Sequence, residues 1–227
     1  MKYLFELHCH TEQSSSCAKI PAEEVVKLYL QEGYSGIIIT DHLSSATIKK
    51  CPNSSFAQLV DYQARGYFAA REAAALLSED FSVFYGVELN SQNEGRNDYL
   101  LYGITPEMLK ANEWLLYNAE PELLSRFCRD NGILLVQAHP FRNHMTLVPP
   151  LLLDGIECYN GNARHDSRNE IASEWADRFG LTKTSGSDFH ELSDLARGGA
   201  YLSQRPKDIL SLTDILKNGD YSLKKTQ

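Results

Sequence analysis

Seven side chains of the types that hold divalent ions fall into five short groups along this sequence. They are His8 with His10, His42, Glu88, His139, and Asp188 with His190. Imidazole nitrogens and carboxylate oxygens are the usual ligands of ions such as zinc and manganese. In two of the groups a single residue separates the members, and on an extended strand that spacing sends both side chains to one face. Cys9, between two of the histidines, would then point away from them, which favours packing over ligation. A carboxylate such as Glu88 can bridge two ions. A bridged pair can polarise a phosphoryl group and generate hydroxide near neutral pH. Taken alone, each group is equally well explained as a surface, capping or loop feature, so their placement on the fold has to decide.

The elements that would position them can be read from hydrophobic patterning. Strands are predicted over residues 3–7, 36–40, 81–87, 99–104, 133–136, 155–159, 181–185 and 200–203. The run Gly36-Ile37-Ile38-Ile39-Thr40 has the continuous β-branched character of a strand buried on both faces. Helices are predicted over 22–31, 56–78, 121–131, 166–179 and 206–217, with Pro21 and Gly33 as start and stop signals for the first. Strand and helix alternate almost throughout, which predicts an α/β domain with a parallel sheet, closed as a barrel or open. Every candidate ligand group lies at the carboxyl end of a predicted strand. In a barrel those ends share one face, so groups far apart in sequence can converge there. Five of the seven histidines are used in this way, which favours a metal site over a solvated surface. His144 and His165 lie in polar loops and are expected to be surface residues.

The chain has 227 residues, 43% hydrophobic and 23% charged, which suits one soluble globular domain spanning 1–227. With 22 Lys and Arg against 30 Asp and Glu, the formal charge is −8. That disfavours broad attraction to nucleic-acid backbones, but not a small anionic substrate drawn to metal ions. No apolar run approaches the roughly 18 residues needed to span a bilayer. The N-terminus lacks a signal-peptide core, so a cytoplasmic location is expected. The five cysteines are odd in number and form no CxxC pair, as expected of reduced thiols.

His8-Cys9-His10-Thr11 with Ser14, Thr40-Asp41-His42, Gly86-Val87-Glu88, Ala138-His139-Pro140 and Gly186-Ser187-Asp188-Phe189-His190 resemble, in order, the motifs of the PHP (polymerase and histidinol phosphatase) superfamily. The resemblance runs from the first residues to about Gly199. It implies a distorted TIM-like barrel of about seven βα units holding two or three ions of zinc, manganese or iron. It assigns His8, His10, Glu88 and Asp188 to a first ion, His42 and His190 to a second, and Glu88 and His139 to a third. Two positions depart from the pattern. Ser16 stands where the family usually places an Asp or His ligand, with Glu12 or Cys17 as possible replacements. Asp98 stands where related phosphoesterases carry a His, and is a candidate ligand of the third ion.

Arg142, Arg168 and Arg197 are candidates to bind a substrate phosphate, because a guanidinium fork matches phosphate oxygens. Asp41 is a candidate to orient a ligand or relay a proton. The expected function is hydrolysis of a small phosphate ester by metal-bound hydroxide. The alternatives are an amidohydrolase, which would usually add a mid-barrel bridging lysine, and a non-catalytic metal-binding or regulatory domain.

Overall fold

The computed structural model describes residues 2–93 and 96–226. Its strands are β1 (Tyr3–Cys9), β2 (Gly36–Ile39), β3 (His42–Leu43), β4 (Ser82–Leu89), β5 (Tyr99–Tyr102), β6 (Leu134–Gln137), β7 (Gly155–Asn160), β8 (Thr182–Gly186), β9 (Gly198–Leu202) and β10 (Tyr221–Lys225). Nine of them form one sheet in the order β10-β9-β1-β2-β4-β5-β6-β7-β8, with the short β3 paired beside β4. The sheet curls until its ends nearly meet. Beyond β8, the Phe189 amide donates to the His8 carbonyl and the His10 amide to the Phe189 carbonyl, linking that end to β1.

The expected distorted barrel is therefore present, with two differences from uniform strand–helix alternation. Among the described residues no helix separates β4 from β5, and β5 returns antiparallel to both β4 and β6. At the other end β9 pairs antiparallel with β1, and β10 with β9.

Helices cover the outside. Helices α1 (Ala22–Gln31) and α4 (Arg65–Leu77) pack against β1, β2 and β4 through Val25, Tyr29, Ala70 and Ile37. A second outer layer gathers α3 (Phe56–Gln63), α7 (Pro121–Asp130) and α8 (Asn169–Phe179). Inside the sheet, Phe5, Leu7, Ile38, Leu100 and Val136 share a core with Leu212, Ile215 and Leu216 of α9 (Ile209–Asn218). Asp208 caps α9 by accepting from the Ser211 amide. The remaining helices, α2 (Ser45–Lys50), α5 (Pro106–Lys110) and α6 (Trp114–Asn118), are short and were not expected from hydrophobic patterning.

The single helix expected over 56–78 is two, α3 and α4, and the cause lies in the motif after His10. Ser14 Oγ donates to the Tyr62 carbonyl and accepts from the Gly66 amide. It has taken the place of the helical bond those two groups would otherwise make, a recognised way to break a helix. Gly66 also has to be glycine: a Cβ there would lie 2.0 Å from Thr11 Oγ1 and 2.1 Å from Asp41 Oδ2.

Alternation along β1 slips by one residue. Phe5 and Leu7 face the inner core, whereas Leu4 and Cys9 face the outer one. The slip coincides with a register shift between Glu6 and Cys9 in the β1–β2 pairing. A bulge of this kind re-aims the side chains beyond it, and it turns both His8 and His10 inward. Cys9 packs outward with Tyr29 and Phe189, as its place between the histidines predicted.

The seam between β8, β9 and β1 leaves no room for side chains. A Cβ on Gly186 would lie 2.3 Å from His8 Cβ, and one on Gly198 would lie 2.2 Å from the Gly186 carbonyl carbon. Gly186→Ala should therefore behave as an overpacked core substitution costing about 1–3 kcal/mol. Denaturant unfolding of the metal-free protein checks this, and an unchanged midpoint would show that the seam yields freely.

Candidate metal centre

The strand ends bring all eight sequence-derived ligand candidates to one rim of the barrel, in three overlapping groups: His8, His10, Glu88 and Asp188; His10, His42 and His190; and Glu88, Asp98 and His139. Within each group the donor atoms lie within 4.8 Å of one another. Glu88 is central. Its Oε2 lies 3.3 Å from His8 Nε2, 3.1 Å from His10 Nε2 and 3.0 Å from His42 Nδ1, while Oε1 lies 3.1 Å from His139 Nε2. Parallel pairing of β3 with β4 sets His42 directly beside Glu88. Asp188 Oδ1 lies 3.5 Å from Nε2 of both His8 and His10. The backbone bends to present two of these groups, with positive φ at His139 (30°) and Asp188 (50°). Such conformations persist only where surrounding contacts enforce them.

The donors fit metal ions. His8 Nε2, His10 Nε2, Glu88 Oε2 and His139 Nδ1 are buried and have no hydrogen-bond partner in the protein. Buried polar atoms without partners are costly, and three of these four lie within the donor contacts around Glu88. A divalent ion accepts lone pairs from imidazole and carboxylate alike.

The outer contacts hold the rings in register. His8 Nδ1 lies 2.9 Å from Glu157 Oε1. Ser15 Oγ donates to Asp41 Oδ1 at 2.7 Å, accepts from the His42 amide at 3.1 Å, and lies 3.3 Å from His10 Nδ1. Asp41 is wholly buried and also accepts from the Thr11 amide and hydroxyl, at 2.7 and 2.6 Å. It thus organises the loop after His10 and sits outside the three donor groups. Ser16 is exposed and outside the three donor groups, whereas Ser15 is buried beside them. Glu12 is exposed, and Cys17 lines the cavity rim outside the donor groups.

Above the donors lies a cavity of about 280 Å³. Arg142 reaches it, with Nη2 donating to Asp188 Oδ2 at 2.9 Å and to Asn160 Oδ1 at 3.0 Å. Arg168 and Arg197 do not line it: Arg168 donates to Asn143 Oδ1 and Arg197 to the Gly161 carbonyl. Instead Lys19, Arg164 and His165 complete the rim, three residues that strand-end placement did not single out. His165 is exposed, as expected, yet borders the site. Arg164 Nη1 is held 2.8 Å from both oxygens of the fully buried Asp194. Nothing in the sequence marks that pairing, since the partners are 30 residues apart.

Charge is strongly coupled across the cluster. Burial opposes ionisation of Glu88, but the facing His8 and His42 hold its pKa well below the usual carboxylate range. Asp188 is likewise held low, against burial, by His8, His10 and Arg142 among others. Burial raises Asp98 to about 6, with a further contribution from Glu88. Burial lowers His42 to about 3 and, with His10 close by, His190 to about 4. For His10 the opposing pull of Asp188 and Glu88 outweighs burial and raises it to about 9. In His8 burial is similarly outweighed by Glu157, Glu88 and Asp188.

This is a barrel with a buried cluster of imidazoles and carboxylates suited to several metal ions at the carboxyl ends of its strands. A model of the PHP domain matches residues 6–221, so the chain belongs to the PHP domain family. No curated protein matches it in sequence. Among solved structures it is similar to a two-domain protein from Bacteroides vulgatus containing a predicted PHP-like metal-dependent phosphoesterase. That likeness has a TM-score of 0.72 and 16% identity, and covers 99% of this chain but 65% of that one. It is also similar to PsfC from Pseudomonas syringae (TM-score 0.67, 17% identity, 99% and 92% covered). A third is an amidohydrolase from Chromobacterium violaceum with bound sulfate and no metal (0.54, 17%, 96% and 97%). At these identities the likeness shows the fold. No helix among the described residues is long and apolar enough to cross a membrane.

Metal binding should release protons at neutral pH. His8 and His10, with raised pKa values, carry protons there in the metal-free protein, and a ligand nitrogen must give its proton up. Affinity should therefore rise with pH until about 9, where His10 loses its proton unaided. Calorimetry in buffers of differing ionisation enthalpy reads this directly; uptake at pH 7 without proton release contradicts it. Glu88→Ala should remove more than one ion per chain, counted by elemental analysis, because Glu88 belongs to two donor groups.

Proposed function

We propose that this protein hydrolyses phosphate esters of small molecules, using two or three divalent ions of zinc, manganese or iron. The first group would be His8, His10, Glu88 and Asp188. The second would be His10, His42 and His190, and the third Glu88, Asp98 and His139. Bound there, such ions would polarise a phosphoryl oxygen, lower the pKa of water and offset the charge that develops on phosphorus.

The observation that carries this reading is the meeting of three donor groups, joined through Glu88 and His10, beneath a cavity whose wall holds an arginine. Arg142 is fixed by Asp188, Asn160 and Ser167, so its guanidinium is pre-aimed at the cavity. A guanidinium so placed can bind phosphoryl oxygens through its remaining donors and keep an ester oriented over the donor groups. Asp41 acts through Ser15, holding His10 in orientation, and has no path to the cavity except through its neighbours.

An amidohydrolase would usually add a bridging lysine, but among the described residues the one lysine lining the cavity, Lys19, pairs instead with Glu191 at the rim. A non-catalytic role is disfavoured by the convergence of all eight candidate donors and by the open cavity above them.

A panel of phosphomonoesters and diesters, assayed separately with manganese, zinc and iron(II), tests the proposal. Turnover of none of them by metal-loaded protein, or turnover of amides alone, overturns it. Arg142→Ala should lower kcat/KM by about 10- to 100-fold, the cost of one charge-assisted hydrogen bond. The loss should appear mainly in KM.

A further inference from the structure

We propose that Glu157, a buried carboxylate outside all three donor groups, is the positioning residue on which the first and third metal groups jointly depend, while the second group relies on Asp41 through Ser15. The inference rests on the metal reading above, and asks which protein groups decide the occupancy of each site.

Glu157 is 1% exposed and lies on β7. A register shift follows it in the β7–β8 pairing. Glu157 and Asn160 therefore both reach the cluster although they are three residues apart, while Ile156 and Cys158 pack in the outer core. Three protein donors are directed at its two oxygens. Oε1 faces His8 Nδ1 at 2.9 Å, and Oε2 accepts from the His139 amide at 3.0 Å and from Asn160 Nδ2 at 2.9 Å. The same Asn160 amide nitrogen lies 3.1 Å from Asp188 Oδ2.

These contacts divide by group. His8 and Asp188 belong to the first group, and His139 to the third. An acceptor at His8 Nδ1 keeps a proton on that nitrogen and leaves the Nε2 lone pair for an ion, the common arrangement of carboxylate, histidine and metal. The bond to the His139 amide fixes a residue whose backbone sits at φ 30°, a conformation that needs outside support. No bond from Glu157 reaches His42 or His190. Those residues are held elsewhere: the His42 amide by Ser15 Oγ, and the His190 amide by Asp194 Oδ2 at 3.0 Å. Ser15 Oγ donates its hydrogen bond to Asp41, so its oxygen can accept from both His10 Nδ1 and the His42 amide.

The amide of Glu157→Gln keeps the size but replaces one acceptor oxygen with an NH2 group. Three donors then face a single acceptor, so His8 or His139 loses its support. Removing such an outer partner typically weakens metal binding about 10- to 100-fold. Full-length wild type, Glu157→Gln and Ser15→Ala should be titrated with manganese and with zinc separately, counting bound ions by elemental analysis after equilibrium dialysis. Unfolding of each metal-free protein gives the folding control. Glu157→Gln should weaken the ion of the first or the third group about 10- to 100-fold, while the ion of the second group keeps nearly unchanged affinity. In Ser15→Ala the weakest ion should instead be that of the His10, His42 and His190 group.

Equal stoichiometry and affinities within twofold for wild type and Glu157→Gln overturn the proposal, as does uniform weakening of every ion in a folded variant. If Glu157→Gln does not fold, Glu157→Asp carries the same readout, being one methylene too short to serve His8 and the His139 amide together. A wild type that binds no ion refutes the metal reading itself. A wild type that binds ions unaffected by either substitution at Glu157 refutes only its role.

Discussion

The structure turns on one buried carboxylate. Glu88 is 1% exposed and has four imidazoles within 3.3 Å of its oxygens. A lone carboxylate at such a site would be strongly disfavoured, because burial favours its neutral form. It stays ionised only because positive charge surrounds it, from protonated histidine in the metal-free protein or from ions when they are bound. The imidazoles come from β1, β3 and the turn after β6, so neutralising this one group ties together strands far apart in sequence. Asp188, supplied beyond β8, repeats the same requirement on the opposite side. Closure of the barrel and assembly of the cluster are thus aspects of one electrostatic condition.

That condition explains why the candidate donor cluster was legible from sequence while its support was not. His8, His10, His42, Glu88, His139, Asp188 and His190 carry their chemistry in their residue type and stand just after apolar runs, which is all that strand-end reasoning needs. Even Asp98, before β5, was reachable by comparing motifs. Glu157, Ser15 and Asp194 were not. Each is an ordinary polar residue whose significance lies in what it touches. Glu157 further hides within an apolar strand, where its facing depends on a register shift. Bulges are invisible to period-two patterning, and here two of them, in β1 and β7, aim the most important side chains.

The fold was legible to the same degree and for the same reason. Most strands and the larger helices appeared in the expected order because burial imposes periodicity. Direction did not follow, since nothing in the run 99–104 distinguishes a parallel from an antiparallel neighbour. The connection from β4 to β5 spans only residues 90–98, and β5 pairs antiparallel with β4. The division of the helix over 56–78 is likewise tertiary. Its local sequence is Ala-rich and suited to continuous helix, but the hydroxyl of Ser14, delivered by the motif loop, competes successfully for Tyr62 and Gly66. A contact of high sequence separation thereby overrides local propensity, and the glycine it needs is the one residue that lets α4 approach Asp41.

Net charge and local field also part company at the site. A formal charge of −8 offers no basic footprint of the kind a broad nucleic-acid surface needs, yet it says little about the cavity. There the carboxylates face inward to imidazoles, while Arg142, Arg164 and Lys19 border the opening. Arg164 and Lys19 are partly offset by Asp194 and Glu191, so the rim is moderately cationic rather than strongly so. Metal ions on the floor would then dominate the field, and the arginines would orient an anion that the ions attract.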